Sequence, residues 1–221
     1  MITTAVLSAN PPLLFRELTG QEDVAAPLRS AAVSALRVPL AGEAVVTVVG
    51  PDETSREWDS ETPVDVRRWG TTGARTSHGL PLSLGVGRRL LDEAGWTGQA
   101  RMRTLAYDAT DAEVDETASS CDGVVLLLGD GSTRRGNGAP GFLDERAFPF
   151  DDAVATALAA GDASALRRLD VRLAEELMVL GRSSFRLLGA FGRPERMELS
   201  YRDDPFGVSY FVARWGFTVS R

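Results

Sequence analysis

Residues 124–132 read Val-Val-Leu-Leu-Leu-Gly-Asp-Gly-Ser, five apolar residues that open directly into a glycine turn. A run this short, apolar throughout and stopped by Gly129, predicts a strand buried on both faces, as in a sheet covered by helices. Two other stretches have the same character. Ile2 to Ser8 (ITTAVLS) ends at Asn10-Pro11-Pro12, and Ala44 to Val49 (AVVTVV) ends at Gly50. Arg101 to Tyr107 alternates enough to add a further strand.

Segments of helical period lie between these strands. Ala25 to Leu40 predicts a helix, with Pro27 tolerated in its first turn. Pro81 to Ala94 puts Leu82, Val86, Leu90 and Leu91 on one stripe, and Gly95 stops it. Asp151 to Ala190 is helical throughout, with Asp151 expected as an N-cap, Gly161-Asp162 as a break and Asp162 as the next cap. Gly50 to Thr76 is polar but holds Trp58 and Trp69, so it reads as an ordered loop. Met197 to Tyr201 and Val208 to Phe217 are strand-like runs around Asp203-Asp204-Pro205-Phe206-Gly207, a hairpin signal.

Strands alternating with helices predict an α/β fold with a mixed, mostly parallel sheet closed by a C-terminal β-hairpin. No repeat or linker divides the chain, so one domain over residues 1–221 is expected. Ligands in such sheets sit beyond the carboxyl ends of the strands. The loops opening at Ala9, Gly50, Asp108 and Gly129 are therefore the candidate site.

Composition removes several chemistries. The chain holds 221 residues, and all 24 of its basic residues are arginine, so lysine-based Schiff-base and Walker-type phosphate chemistry is unavailable. One histidine, His78, and one cysteine, Cys121, cannot supply a His/Cys zinc site. The net charge of -7 argues against nucleic-acid or anionic-membrane partners. No apolar run is long enough to span a bilayer, and Met1 to Leu18 lacks the basic start of a signal peptide. A cytoplasmic location is the expectation.

Gly129 to Gly136 (GDGSTRRG) is the best local constellation. Its backbone amides with Arg134 and Arg135 could hold a carboxylate or phosphate; the alternative is a tight turn with solvated arginines. Gly85-Val86-Gly87 lies inside a helical stretch and is read as close helix packing, not a dinucleotide fingerprint. His78 is the chain's only ordinary acid or base at neutral pH and the one candidate catalytic residue; the plainer alternative is an exposed or hydrogen-bonded histidine. Asp203 and Asp204 either hold a turn or contribute carboxylates to a pocket. Tyr210, Phe211, Trp215 and Phe217 either serve an interface or, alternately, the core.

Six segments in order resemble the B subunit of class III extradiol ring-cleavage dioxygenases: AVLSANPPLL, VVTVVGPD, HGLPLSLGVGRRLL, VVLLLGDGST, APGFLDERAFPFD and DDPFGVSYFVARW. The resemblance implies a three-layer α/β/α domain with its active site at loop ends along one edge. It also implies two iron-binding histidines, at positions where this chain has Asn10 and Asp52. An acid/base histidine is implied where Thr133 stands, and Asp203 or Asp204 is a counterpart of the late carboxylate. His78 resembles a pocket histidine that relatives keep. The implied pocket therefore contains Asn10, Asp52, His78, Asp130, Ser132, Thr133, Arg134 and Asp204. Ferrous iron in ring cleavage favours imidazoles, which this set lacks. The expectation is a divergent homologue without the usual iron-dependent cleavage, no cofactor, and a pocket for a small anionic or aromatic ligand. Alternatives are a divalent cation held by the oxygens of Asn10, Asp52 and a late Asp, an active ring-opening dioxygenase or metal-dependent hydrolase, or a partner subunit of a homo- or hetero-oligomer.

Overall fold

A computed structural model describes residues 1–70 and 79–218. In chain order the elements are β1 (Ile2–Ser8), α1 (Ala26–Arg37), β2 (Val45–Asp52), β3 (Arg56–Trp58), α2 (Leu82–Glu93), β4 (Gln99–Ala106), α3 (Asp111–Ser120), β5 (Gly123–Leu128), α4 (Ala147–Ala160), α5 (Ala163–Arg167), α6 (Val171–Glu176), α7 (Arg182–Ala190), β6 (Arg196–Asp203) and β7 (Tyr210–Gly216). The strands form one sheet of order β3-β4-β2-β5-β1-β7-β6. Its centre, β4-β2-β5-β1, is parallel. The short β3 flanks it antiparallel on one side and the β6-β7 hairpin on the other.

The apolar strands are buried on both faces because helices cover both. Val6, Leu126 and Leu128 pack with Leu36 of α1 and Leu84 of α2. Leu7, Val125 and Leu127 pack on the other face with Val114 of α3, Val154 of α4 and Phe185 of α7. Alternate residues of one strand thus enter two cores, which gives the three-layer α/β/α arrangement. Gly87 lets α2 lie close on β2, since a Cβ there would stand 2.7 Å from Val48. The glycine pair at 85 and 87 therefore serves helix packing.

Three features depart from the sequence expectation, the first being β3, a short strand held by pairing with β4 inside the stretch read as a loop. Asp151 does not cap α4; the helix begins four residues earlier at Ala147, and Asp151 is 0% exposed inside it. Its carboxylate has inward partners, Ser132 and Arg135, which outweigh its preference for a helix start. Helix α3 was not anticipated, because only Val114 and Thr117 of it are buried and no apolar stripe marks it. Its start is a capping box between Thr110 and Glu113. Asp162 caps α5 as expected, accepting from the Ala165 amide at 2.9 Å.

Candidate functional site

Four parallel strands end on one edge of the sheet, and antiparallel β7 begins there. The register Ser8↔Leu128 sets the residues after β1 beside those after β5. The Asn10 backbone amide accordingly donates to Asp130 Oδ1 at 2.8 Å. Burial pushes the Asp130 carboxyl up to about 7, with the Asn10 hydrogen bond opposing it. Burial also raises the Tyr210 hydroxyl, and the negative charge of Asp130 adds to that effect. On the other side of Asp130, the Gly181 amide donates to its carbonyl at 2.8 Å and ties the start of α7 to this edge.

The loop after β5 is pinned by side chains from several elements. The Ser132 amide donates to Asp151 Oδ1 at 3.0 Å, and the Ser132 hydroxyl donates to the Leu177 carbonyl at 2.7 Å. Arg135 donates to Asp204 at 2.6 Å and to Asp151 at 3.4 Å. Arg134 faces Asp144 at 3.8 Å. Ser132, Arg135 and Asp204 thus hold the loop in shape, and neither arginine stands as a free cation for an anion. Burial raises Asp151 to about 6, against the hydrogen bonds from Ser132 and Arg135 that lower it.

These two carboxyls give a pH prediction. Their folded values, about 7 and about 6, exceed the ordinary carboxylate value near 3.9 of the unfolded chain. Between those limits the folded state binds more protons than the unfolded state, so stability falls as pH rises. Asp23, Asp111 and Asp144 are held low by arginines and withdraw stability only under acid conditions below that range. Thermal melts should therefore show the midpoint rising as pH is lowered from 8 to 5. Asp130→Asn, which keeps the acceptor for Asn10, should flatten that rise; a wild-type midpoint that is level or lower at pH 5 contradicts the assignment.

Asp52 ends β2 on the same edge and is half-buried. It lines a cleft of about 570 Å³ with Arg56, Trp58, Arg68, Gly79 and Pro81. Arg56 lies over the Trp58 ring at 3.5 Å, and Arg68 donates to the Gly79 carbonyl at 3.1 Å. His78 lies outside the described residues. Tyr107 follows β4, its amide donating to the Asp52 carbonyl at 3.0 Å. Burial raises its hydroxyl, with the Asp52 charge next in effect and Arg182 opposing.

Buried polar atoms without a hydrogen-bond partner concentrate here. Among the described residues, four of the eight such side-chain atoms are Asn10 Oδ1, Thr133 Oγ1, Arg134 Nε and Arg182 Nε. All four residues lie in the loops at this edge or at the start of α7. The structure joins Asn10 directly to Asp130, and the charges of both Asp52 and Asp130 reach the Tyr107 hydroxyl. Thr133 lies farther along the loop, its Oγ1 3.0 Å from where a Cβ on Gly141 would stand. Tyr107 and Arg182 were not singled out from the sequence. The expected loop opening at Asp108 pointed near the first, while the second begins a helix of ordinary composition.

The fold has a solved counterpart. The chain aligns with the crystal structure of uncharacterized protein JW3007 from Escherichia coli K12 at a TM-score of 0.52, over 97% of this chain and 100% of that one. At 14% identity the likeness concerns the fold alone. No protein-family model matches the chain, and no curated protein does.

Ferrous iron, which the family resemblance implies, does not fit these residues. The ends of β1 and β2 offer the Asn10 carboxamide and the Asp52 carboxylate, and the 221 residues contain one imidazole where the facial triad takes two. Among the described residues, no three of His, Cys, Asp and Glu gather closely enough to ligate one ion.

Proposed function

We propose that this chain is a divergent homologue of the class III extradiol dioxygenases that binds a small aromatic ligand at the strand ends and does not cleave it by two-histidine iron chemistry. The observation that carries this reading is the pair of buried, unpartnered oxygens in the loops that follow β1 and β5, Asn10 Oδ1 and Thr133 Oγ1. A buried polar atom without a partner costs about 1–3 kcal/mol, so native proteins keep few without a use. Hydroxyls of a ligand that reaches both loops would satisfy them. Asp130, with a pKa of about 7, could donate to or accept from the same ligand near neutral pH.

The test uses catechol as the probe. Catechol should raise the melting temperature of the wild-type protein. Asn10→Ala and Thr133→Val should each weaken its binding roughly fivefold or more, the loss expected for one hydrogen bond. Thr133→Val, which replaces an orphaned hydroxyl with a methyl of similar shape, should gain about 1 kcal/mol of stability without ligand. No response to catechol in wild type, or a response in both variants undiminished from wild type, would sink the reading.

A further inference from the structure

Three arginines are buried among the described residues: Arg29, Arg182 and Arg186. Two of them have carboxylate partners. Arg29 pairs with Asp23 and donates to the Leu13 and Leu14 carbonyls. Arg186 pairs with Asp111 at 2.7 Å and donates to the Ala109 carbonyl. Arg182 is 8% exposed, yet no carboxylate among the described residues stands within ion-pair distance of it. Its Nη1 donates to the Val179 carbonyl at 3.1 Å, and its Nε is buried without a partner. Glu175 and Asp108 act on it only from beyond ion-pair distance, and a cation removed from water without a bonded counter-charge is costly, so the third arginine is left to take an anion in direct contact.

Its position says where that anion would come from. Arg182 opens α7 directly after Gly181, whose amide is bonded to the Asp130 carbonyl. The guanidinium lies over the Tyr107 ring at 5.2 Å, at the carboxyl end of β4. It therefore belongs to the same edge as Asn10, Asp52 and Asp130. The Tyr107 hydroxyl makes no hydrogen bond among the described residues, and its raised pKa keeps its proton available for donation.

We propose that Arg182 and Tyr107 form the binding site for the carboxylate group of the small aromatic ligand. This rests on the strand-end ligand reading above and names the charge that the ligand carries. Arg182 neutralises the carboxylate through charge-assisted hydrogen bonds, and the Tyr107 hydroxyl donates to it as a second contact. A monoanion suits the site better than a phosphate dianion. Glu175 and Asp108 act on Arg182, and Asp52, Glu53 and Asp130 act on Tyr107, so a second negative charge meets repulsion.

Benzoate and its uncharged counterpart benzamide, titrated calorimetrically into wild type and Arg182→Gln, test the proposal. Wild type should bind benzoate roughly tenfold or more tightly than benzamide, and Arg182→Gln should bind both equally weakly. Equal binding of the two compounds by wild type, or undiminished benzoate binding by Arg182→Gln, overturns the carboxylate assignment and leaves the strand-end pocket standing. Inorganic phosphate bound more tightly than benzoate overturns it in favour of a phosphate. Failure of both ring compounds to bind overturns the carboxylate assignment, while the strand-end reading stands or falls with the catechol titration. Melting curves without ligand supply an independent check. Arg182→Gln removes a buried cation that makes no direct ion pair and should melt no lower than wild type, whereas Arg186→Gln, which breaks a made pair, should melt lower. Equal losses in the two variants overturn the claim that Arg182 lacks a direct ion-pair partner.

Discussion

Replacing Trp215 with alanine is expected to cost about 4 kcal/mol, the middle of the range for deleting a buried aromatic. Trp215 is fully buried in β7, between Ala5 of β1 and Met197 of β6. Its indole N–H donates to the Leu158 carbonyl at 2.9 Å, so one side chain joins the sheet to α4. Truncation leaves a cavity and an unpaired carbonyl together. For a chain of this size the melting temperature should fall by about 10 °C. Phe217→Ala, at a half-buried position beyond the strand, should lower it far less. Equal effects of the two changes would mean that the hairpin is not anchored through Trp215.

That residue also shows what could be read from the chain. The aromatic tail allowed two uses, and alternation across β7 decides between them by burying Phe211 and Trp215 completely. The three apolar runs were legible as strands because a strand covered on both faces has no polar side to show. The parallel order followed from helices between them, and the closing hairpin from its Asp-Asp-Pro-Phe-Gly turn. What escaped was local. Helix α3 buries too little to leave a stripe, and β3 is three residues held by pairing with β4. Asp151 looked like a cap because capping preference is a property of the residue alone, while its real partners come from 16 and 19 residues away.

The candidate site divides in the same manner. Asn10, Asp52 and Asp130 were legible because they directly follow or end strands, where topology alone assigns the edge. Arg134 and Arg135 were read either as facing a ligand or as solvated in a tight turn, and in the fold Asp144, Asp151 and Asp204 engage them. Arg182 had no sequence signal. Nothing in a run of residues says which of many arginines will be buried without a carboxylate; that depends on which acids the fold brings near.

The second large effect expected concerns catalysis. Ring cleavage by class III extradiol chemistry needs ferrous iron bound by imidazoles and a base to take a catechol proton. Here Asn10 and Asp52 stand at the two ligand positions that the resemblance assigns to histidine, and Thr133 stands at the position of the base. A threonine hydroxyl cannot act as a base at neutral pH, and a carboxamide is a weak neutral ligand. His78 could replace one of the three groups but not all of them. The most direct measurement is oxygen uptake with a panel of catechols, using protein expressed with iron supplied and assayed for bound metal. The account predicts no uptake above a protein-free control and iron far below one atom per chain. Iron-dependent uptake with formation of a ring-opened product would contradict it.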